Sequence, residues 1–225
     1  MCGRLALLGA VDLVEDAFGA TREGPEAIYA PSYNIAPSQD LVVVGQRDGQ
    51  RLWRTMRWGL IPSWAKAPGQ RPINARAEGV AGNGMFRAAF AKRRCLVPVS
   101  GFYEWHRVTD KVRVPHFFHP AGGGYWGIAG LWEHWKDPAT SEVLRTVCIL
   151  TTTPNAVAAR VHDRMPVILG RDAWDAWLAP GTSVHELTGL LVPCPDAWVN
   201  EHTVSTAVNS PKNNDPSLVE PIPGA

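Results

Sequence analysis

Apolar positions recur along the chain in short runs broken by polar and Gly/Pro stretches, and the runs follow two periods. Continuous or alternating runs over 5–8, 33–37, 41–45, 52–60, 95–99, 101–107, 114–119, 125–132 and 146–152 predict β-strands. The runs at 33–37 and 41–45 flank a Pro-Ser turn. Asp48-Gly49 ends the second and leads into its hairpin partner at 52–60. Helical spacing predicts a segment over 11–18 with Asp12, Glu15 and Asp16 on its wet face, and shorter helical pieces over 75–80 and 86–92. Further helices are predicted from an Asn155 cap through Val161, over 172–178 with Trp174, Trp177 and Leu178 on one face, and over 183–191. Residues 19–25 and 61–73 read as loops, and 210–225 as a polar, Pro-rich tail that wraps the surface or frays. There is no repeat and no long linker. The pattern predicts one α+β domain over residues 1–225, mostly antiparallel β, with a barrel-like core and short peripheral helices.

Composition narrows the class. With 45% hydrophobic and 19% charged residues, the chain is neither disordered nor a coiled coil. No apolar run reaches the length of a membrane helix, and Met1-Cys2-Gly3-Arg4 opens no secretory signal. The four cysteines, at 2, 95, 148 and 194, form no CxxC pair. That spacing argues against zinc and disulfides, and points to a reducing, cytoplasmic setting. No metal, dinucleotide or phosphate-loop motif is present, so no cofactor is expected.

Charge then changes the picture. The net charge of +1 conceals blocks of −4 over 1–50, +10 over 51–113 and −5 over 114–225. Of 22 basic residues 17 are Arg, and there are 10 Trp. Guanidinium forks suit phosphates and flat rings suit bases, so a basic, Trp-bearing middle suggests nucleic acid. Genome composition can also favour Arg, and most Trp sit in cores, as expected here for Trp58, Trp132, Trp174 and Trp177. Cys95 and Cys148, in apolar runs, read as inert core thiols.

Cys2 is the first chemical anomaly. Loss of Met1 before a small residue would leave an α-amine and a thiol on one residue, both reactive near neutrality. Such a group can attack an acyl carbon with the amine as base. It can also condense with an aldehyde and close a thiazolidine ring, or it can be an inert buried cysteine.

Six further strings follow: 33–37 (Tyr-Asn-Ile-Ala-Pro), 58–64 (Trp-Gly-Leu-Ile-Pro-Ser-Trp), 74–78 (Asn-Ala-Arg-Ala-Glu), 94–98 (Arg-Cys-Leu-Val-Pro), 101–105 (Gly-Phe-Tyr-Glu-Trp) and 161–166 (Val-His-Asp-Arg-Met-Pro). In order, with the Met-Cys-Gly-Arg start, they resemble the SRAP family, the SOS-response-associated peptidase proteins, from Cys2 to about Asn209. Pro154 departs from the family's Thr-Thr-x-Ala-Asn string. The resemblance implies the SRAP fold and a sensor of abasic sites in single-stranded DNA that acts as a monomer. It also implies a thiazolidine crosslink through the N-terminal cysteine, with possible lyase and autoproteolytic peptidase activity.

On that resemblance Cys2, Asn74, Glu104 and His162 carry the chemistry. Glu104 between Tyr103 and Trp105 suits a desolvated acid–base, although an ordinary strand carboxylate paired with an Arg fits the residues alone. His162 titrates in the right range, and the Asn74 amide can orient an amine or sugar without changing charge. Arg4, Arg76, Arg164 and Arg87 are the expected phosphate contacts, and Trp64, Pro37 and Trp105 the expected base contacts. An N-terminal-nucleophile amidotransferase or peptidase is the alternative from another class, but a +10 window has no obvious use there. A noncatalytic single-strand binder would leave Cys2, Glu104 and His162 unexplained.

Overall fold

A computed structural model describes residues 2–25 and 27–222. In chain order the first elements are β1 (Leu5–Leu7), α1 (Val11–Phe18), β2 (Ala20–Arg22), β3 (Ser32–Ile35), β4 (Asp40–Arg47), β5 (Gln50–Trp58), β6 (Asn74–Arg76) and α2 (Arg87–Lys92). They are followed by β7 (Arg94–Val99), β8 (Gly101–Arg107), β9 (Arg113–Pro120), β10 (Trp126–Lys136) and β11 (Val143–Thr152). The last are β12 (Met165–Pro166), β13 (Ile168–Leu169), α3 (Trp174–Leu178), α4 (Val184–Gly189) and β14 (Val199–Thr203).

A closed five-stranded barrel forms the centre. Asp48 (φ 51°) and Gly49 (φ 80°) make the tight left-handed turn that lets β4 and β5 pair residue for residue. From there β4 pairs β7, β7 pairs β10, β10 pairs β11, and β11 returns to β5 in parallel through Thr146–Arg57 and Val147–Trp58. β7 is buried along its whole length, whereas β5 alternates between buried Trp53, Met56 and Trp58 and polar positions facing outward or into the barrel's mouth. Beside it lies a sheet of order β14-β9-β8-β1-β3. Period-2 alternation divides its residues. Leu5, Leu7, Phe102 and Phe118 join the barrel's core, while Ala6, Tyr103 and Phe117 form a second core with Val208 and Leu218 of the C-terminal segment. Residues 205–222 therefore lie on the sheet's far face, and Ile222 donates to the Thr203 carbonyl. Residues 223–225 of the expected tail, like Met1, lie outside the described residues.

Several elements differ from expectation. Residues 74–76 pair in parallel with Ile149–Thr151 of β11, and only Ala77–Gly79 make a helical turn. The Asn155 side chain does accept from the Ala158 amide, but the turn that follows is the 3₁₀ segment Ala158–Arg160. β2, β12, β13 and β14 carry no strand-like period of their own and form because β5, β11, β10 and β9 offer them open hydrogen-bonding groups. α1 ends where Gly19 takes φ 58°, and α4 begins with a Ser183–Glu186 capping box. Trp58, Trp174 and Trp177 are buried, Trp132 is half-buried, and Cys95 and Cys148 are fully buried. None of the described helices is long and apolar enough to cross a membrane.

Candidate active site

Three chain segments meet at the end of β11. β6 is paired against it and carries Asn74. The 162–164 loop is tied to it by the Arg164 guanidinium donating to the Thr151 carbonyl at 2.7 Å. Cys2, leading into β1, is fixed to the first of these: the Asn74 Nδ2 donates to the Cys2 carbonyl at 2.8 Å. The Asn74 Oδ1 is buried without a hydrogen-bond partner.

Glu104 arrives from β8. It shares the face of Phe102, whose ring stacks on Phe118 at 4.8 Å, and so points between sheet and barrel, where only 3% of it is exposed. That burial, reinforced by the Asp163 charge, lifts its carboxyl to about 7. Burial likewise pushes the Cys2 thiol well up, and the neighbouring Glu104 charge adds to it. The thiol is therefore protonated at neutral pH in this arrangement.

The His162 Nε2 lies 3.9 Å from a Glu104 oxygen. Its Nδ1 lies 3.0 Å from both the Arg164 amide nitrogen and the Asp163 Oδ1, the first favouring a neutral ring protonated on Nε2 and the second one protonated on Nδ1. Burial lowers the His162 pKa, and the Arg113 charge helps, with Asp163 opposing. Glu104 near 7 beside a neutral imidazole is a pair that can pass a proton in either direction near physiological pH.

A cleft of about 540 Å³ opens over this group, lined by Glu104, Trp105, Lys111, Arg113, His162 and Asn209. Lys111 comes from the turn between β8 and β9 and Arg113 is the first residue of β9, and neither was anticipated. Their signal was present in the basic window, but only the β8–β9 hairpin aims them at Glu104. Asn34 and Asn209 were also missed as individual residues. Asn34 Nδ2 donates to the Val208, Ser210 and Asn213 carbonyls, and Asn209 accepts from the Trp105 indole at 2.7 Å.

Two of the expected phosphate contacts are engaged within the protein. Arg4 is 9% exposed and turns inward, its Nη1 donating to Asn34 Oδ1 and to the Val208 carbonyl, with its guanidinium 5.8 Å from the Trp105 ring centre. It fastens the segment after Cys2 to the C-terminal turns. Arg164 makes a two-pronged ion pair with Glu78. Arg76 is exposed on β6, two residues after Asn74. Arg87 is exposed at the start of α2, but no contact joins it to the cleft. Trp64 is 65% exposed and Pro37 is exposed, both available for stacking, whereas Trp105 is half-buried and shows the cleft only part of its surface.

The family model of the SOS response associated peptidase (SRAP) matches residues 1–211. The chain belongs to the SRAP family. It is 40% identical to the abasic site processing protein YoqW of Bacillus subtilis over 98% of this chain and 99% of that one. It is 30% identical to the abasic site processing protein HMCES of Xenopus tropicalis, over 99% of this chain and 78% of that one. Among solved structures a Bacteroides thetaiotaomicron protein superposes with a TM-score of 0.90 at 25% identity, covering 98% of this chain and all of the other. The SRAP fold is thus the barrel and flanking sheet described above. Among the described residues no group of His, Cys, Asp and Glu is placed to hold a metal ion.

Proposed function

We propose that this SRAP protein captures abasic sites in single-stranded DNA by forming a thiazolidine through Cys2. The observation that carries the reading is the grouping of Cys2 with Asn74, a Glu104 held near pH 7, and His162, beneath a cleft rimmed by Lys111 and Arg113. The abasic sugar equilibrates between a closed hemiacetal and an open aldehyde. Protonated Glu104 donates to the ring oxygen as the C1′–O bond breaks, and the C1′ hydroxyl gives its proton to His162 or water as it becomes the aldehyde. With Met1 removed, the Cys2 amine adds to the aldehyde carbon, and the carbinolamine loses its hydroxyl as water, leaving an imine. The Cys2 sulfur then bonds to that carbon while the imine nitrogen takes up a proton. The thiol proton passes through Glu104, now ionised, or His162. The balance is aldehyde plus aminothiol giving thiazolidine plus water, with no oxidant or cofactor.

Burial of the thiol fits this order, because a protonated sulfur waits while the amine adds first. Exposed Trp64, Pro37 and Arg76 supply stacking and phosphate contact of the kind single strands need. The cationic cleft counts against an amidotransferase pocket.

The test mixes the processed protein with uracil-glycosylase-treated single strands and follows an SDS-resistant, heat-stable adduct. Cys2→Ala with Met1 removed should lose that adduct while showing a borohydride-trappable imine and some strand nicking at the lesion. A variant that binds DNA but neither traps nor nicks would show that the amine is not the first nucleophile. Equal adduct yield from N-terminally blocked protein would remove the aminothiol mechanism altogether.

A further inference from the structure

The barrel has a second opening, and it lies away from Cys2. The candidate site uses β11 at residues 149–151, whereas this opening uses Val143 and Arg145 at the strand's start. The two are separated along β11 by about 20 Å at roughly 3.3 Å per residue. The mouth holds a cavity of about 480 Å³.

Its lining is unbalanced in charge. Arg47, Arg54, Lys92, Arg94 and Arg145 face it, and Glu23 is its single carboxylate. Glu23 is shared by Arg47 at 2.9 Å and Arg54 at 2.7 Å. Arg94 is buried, and its guanidinium is held by the carbonyls of Phe90, Ala91, Trp177 and Ala179 rather than by an acid. Lys92 and Arg145 stand exposed at the rim. Five cations against one carboxylate in a concave site concentrate a positive potential that a small polyanion would relieve.

The rest of the lining has a different chemistry. Val43, Leu52, Met56 and Leu178 make an apolar wall, with the half-buried Trp132 beside it. Phosphate alone would satisfy the cations but has no use for the wall. A flat apolar ring joined to a phosphate meets both, and the volume falls in the range of small-ligand sites.

We propose that the barrel mouth is a binding site for a nucleoside phosphate, with the base against Trp132 and the apolar wall and the phosphate between Arg54, Lys92 and Arg145. The proposal is independent of the Cys2 chemistry.

The probe is deoxyadenosine 5′-monophosphate titrated into the full chain by calorimetry, with deoxyadenosine and inorganic phosphate titrated separately. Saturable nucleotide binding below about 1 mM is expected, with each half of the molecule at least tenfold weaker. Lys92→Glu with Arg145→Glu should weaken the nucleotide at least tenfold, as should the milder Arg145→Gln to a smaller extent. Trp132→Ala should weaken the nucleotide severalfold and leave phosphate unchanged. Melting curves identify any variant that fails to fold, and the wild-type titration stands by itself. Absence of saturable binding to wild type would overturn the proposal, as would nucleotide affinity indifferent to Arg145→Gln and the double variant. Binding of phosphate as tight as the nucleotide would overturn the base-recognition part and leave a plain anion site.

Discussion

Glu104 is held near 7 chiefly because the sheet and the barrel close over it, and this has consequences for both rate and stability. A carboxyl whose folded value is raised contributes stability that is fully present below its unfolded value of about 4.3, and that stability is lost as pH rises through about 7. His162, with a depressed value, acts in the opposite sense, its contribution fading as pH falls below about 6.5. Glu104→Gln keeps the shape and removes the charge. It should leave stability nearly unchanged at pH 4 and raise it at pH 8, by on the order of 3 kcal/mol at most. The same variant should form the DNA adduct about 10²–10⁴-fold more slowly while binding intact strands normally. Parallel thermal melts and single-turnover kinetics separate the two effects. A variant less stable at pH 8 than wild type would mean that the carboxylate is stabilised where it lies.

The β8–β9 hairpin is the element that brings the site together. One strand supplies Glu104, and the turn with the start of the other supplies Lys111 and Arg113. If these two cations meet the phosphates flanking the lesion, single-strand binding should weaken with salt, and Lys111→Ala and Arg113→Ala should each reduce the log–log slope by about 0.7. An unchanged slope in both would place the strand elsewhere. The placement of β8 itself depends on Gly101. A Cβ there would lie 2.4 Å from the Phe118 carbonyl oxygen and 2.4 Å from the Phe117 ring. A backbone oxygen cannot swing aside, so Gly101→Ala must displace β8 from β9. It should cost about 1–3 kcal/mol or more, lower the melting temperature, and slow adduct formation by shifting Glu104.

At the scale of the molecule the chain's two ends are interlocked. Arg4 donates to the Val208 carbonyl, Asn209 holds Trp105 at the cleft, and Val208 and Leu218 are fully buried on the sheet's outer face. Deleting residues 205–225 should therefore act at a distance. It uncovers Ala6, Tyr103 and Phe117, removes about 1.5–3 kcal/mol of burial for each large apolar side chain lost, and frees the segment after Cys2. The truncated chain is expected to melt well below the full one and to lose adduct formation before it loses affinity for DNA. A truncation with unchanged melting and chemistry would make the segment a passive covering.

The sequence alone determined the strands whose apolar period is carried by their own residues. β8 and α1 sit where the pattern places them, and the Asp48-Gly49 hairpin follows from backbone conformations that few other residue pairs accept. The ordered strings around Cys2, Asn74, Glu104 and His162 likewise made the family legible, because those residues are unusual in kind as well as in spacing. Tertiary structure decided the rest. β6 reads as helix locally and is a strand because β11 presents open hydrogen-bonding groups beside it. Arg4 and Arg164 look identical to Arg76 in sequence, yet Asn34, Val208 and Glu78 engage the first two and leave the third exposed. The basic window of 51–113, one block in the sequence, is divided by barrel closure between the Cys2 cleft and the opposite mouth. Charge is a property of each residue, but the partner that neutralises it, or fails to, arrives from a distant part of the chain.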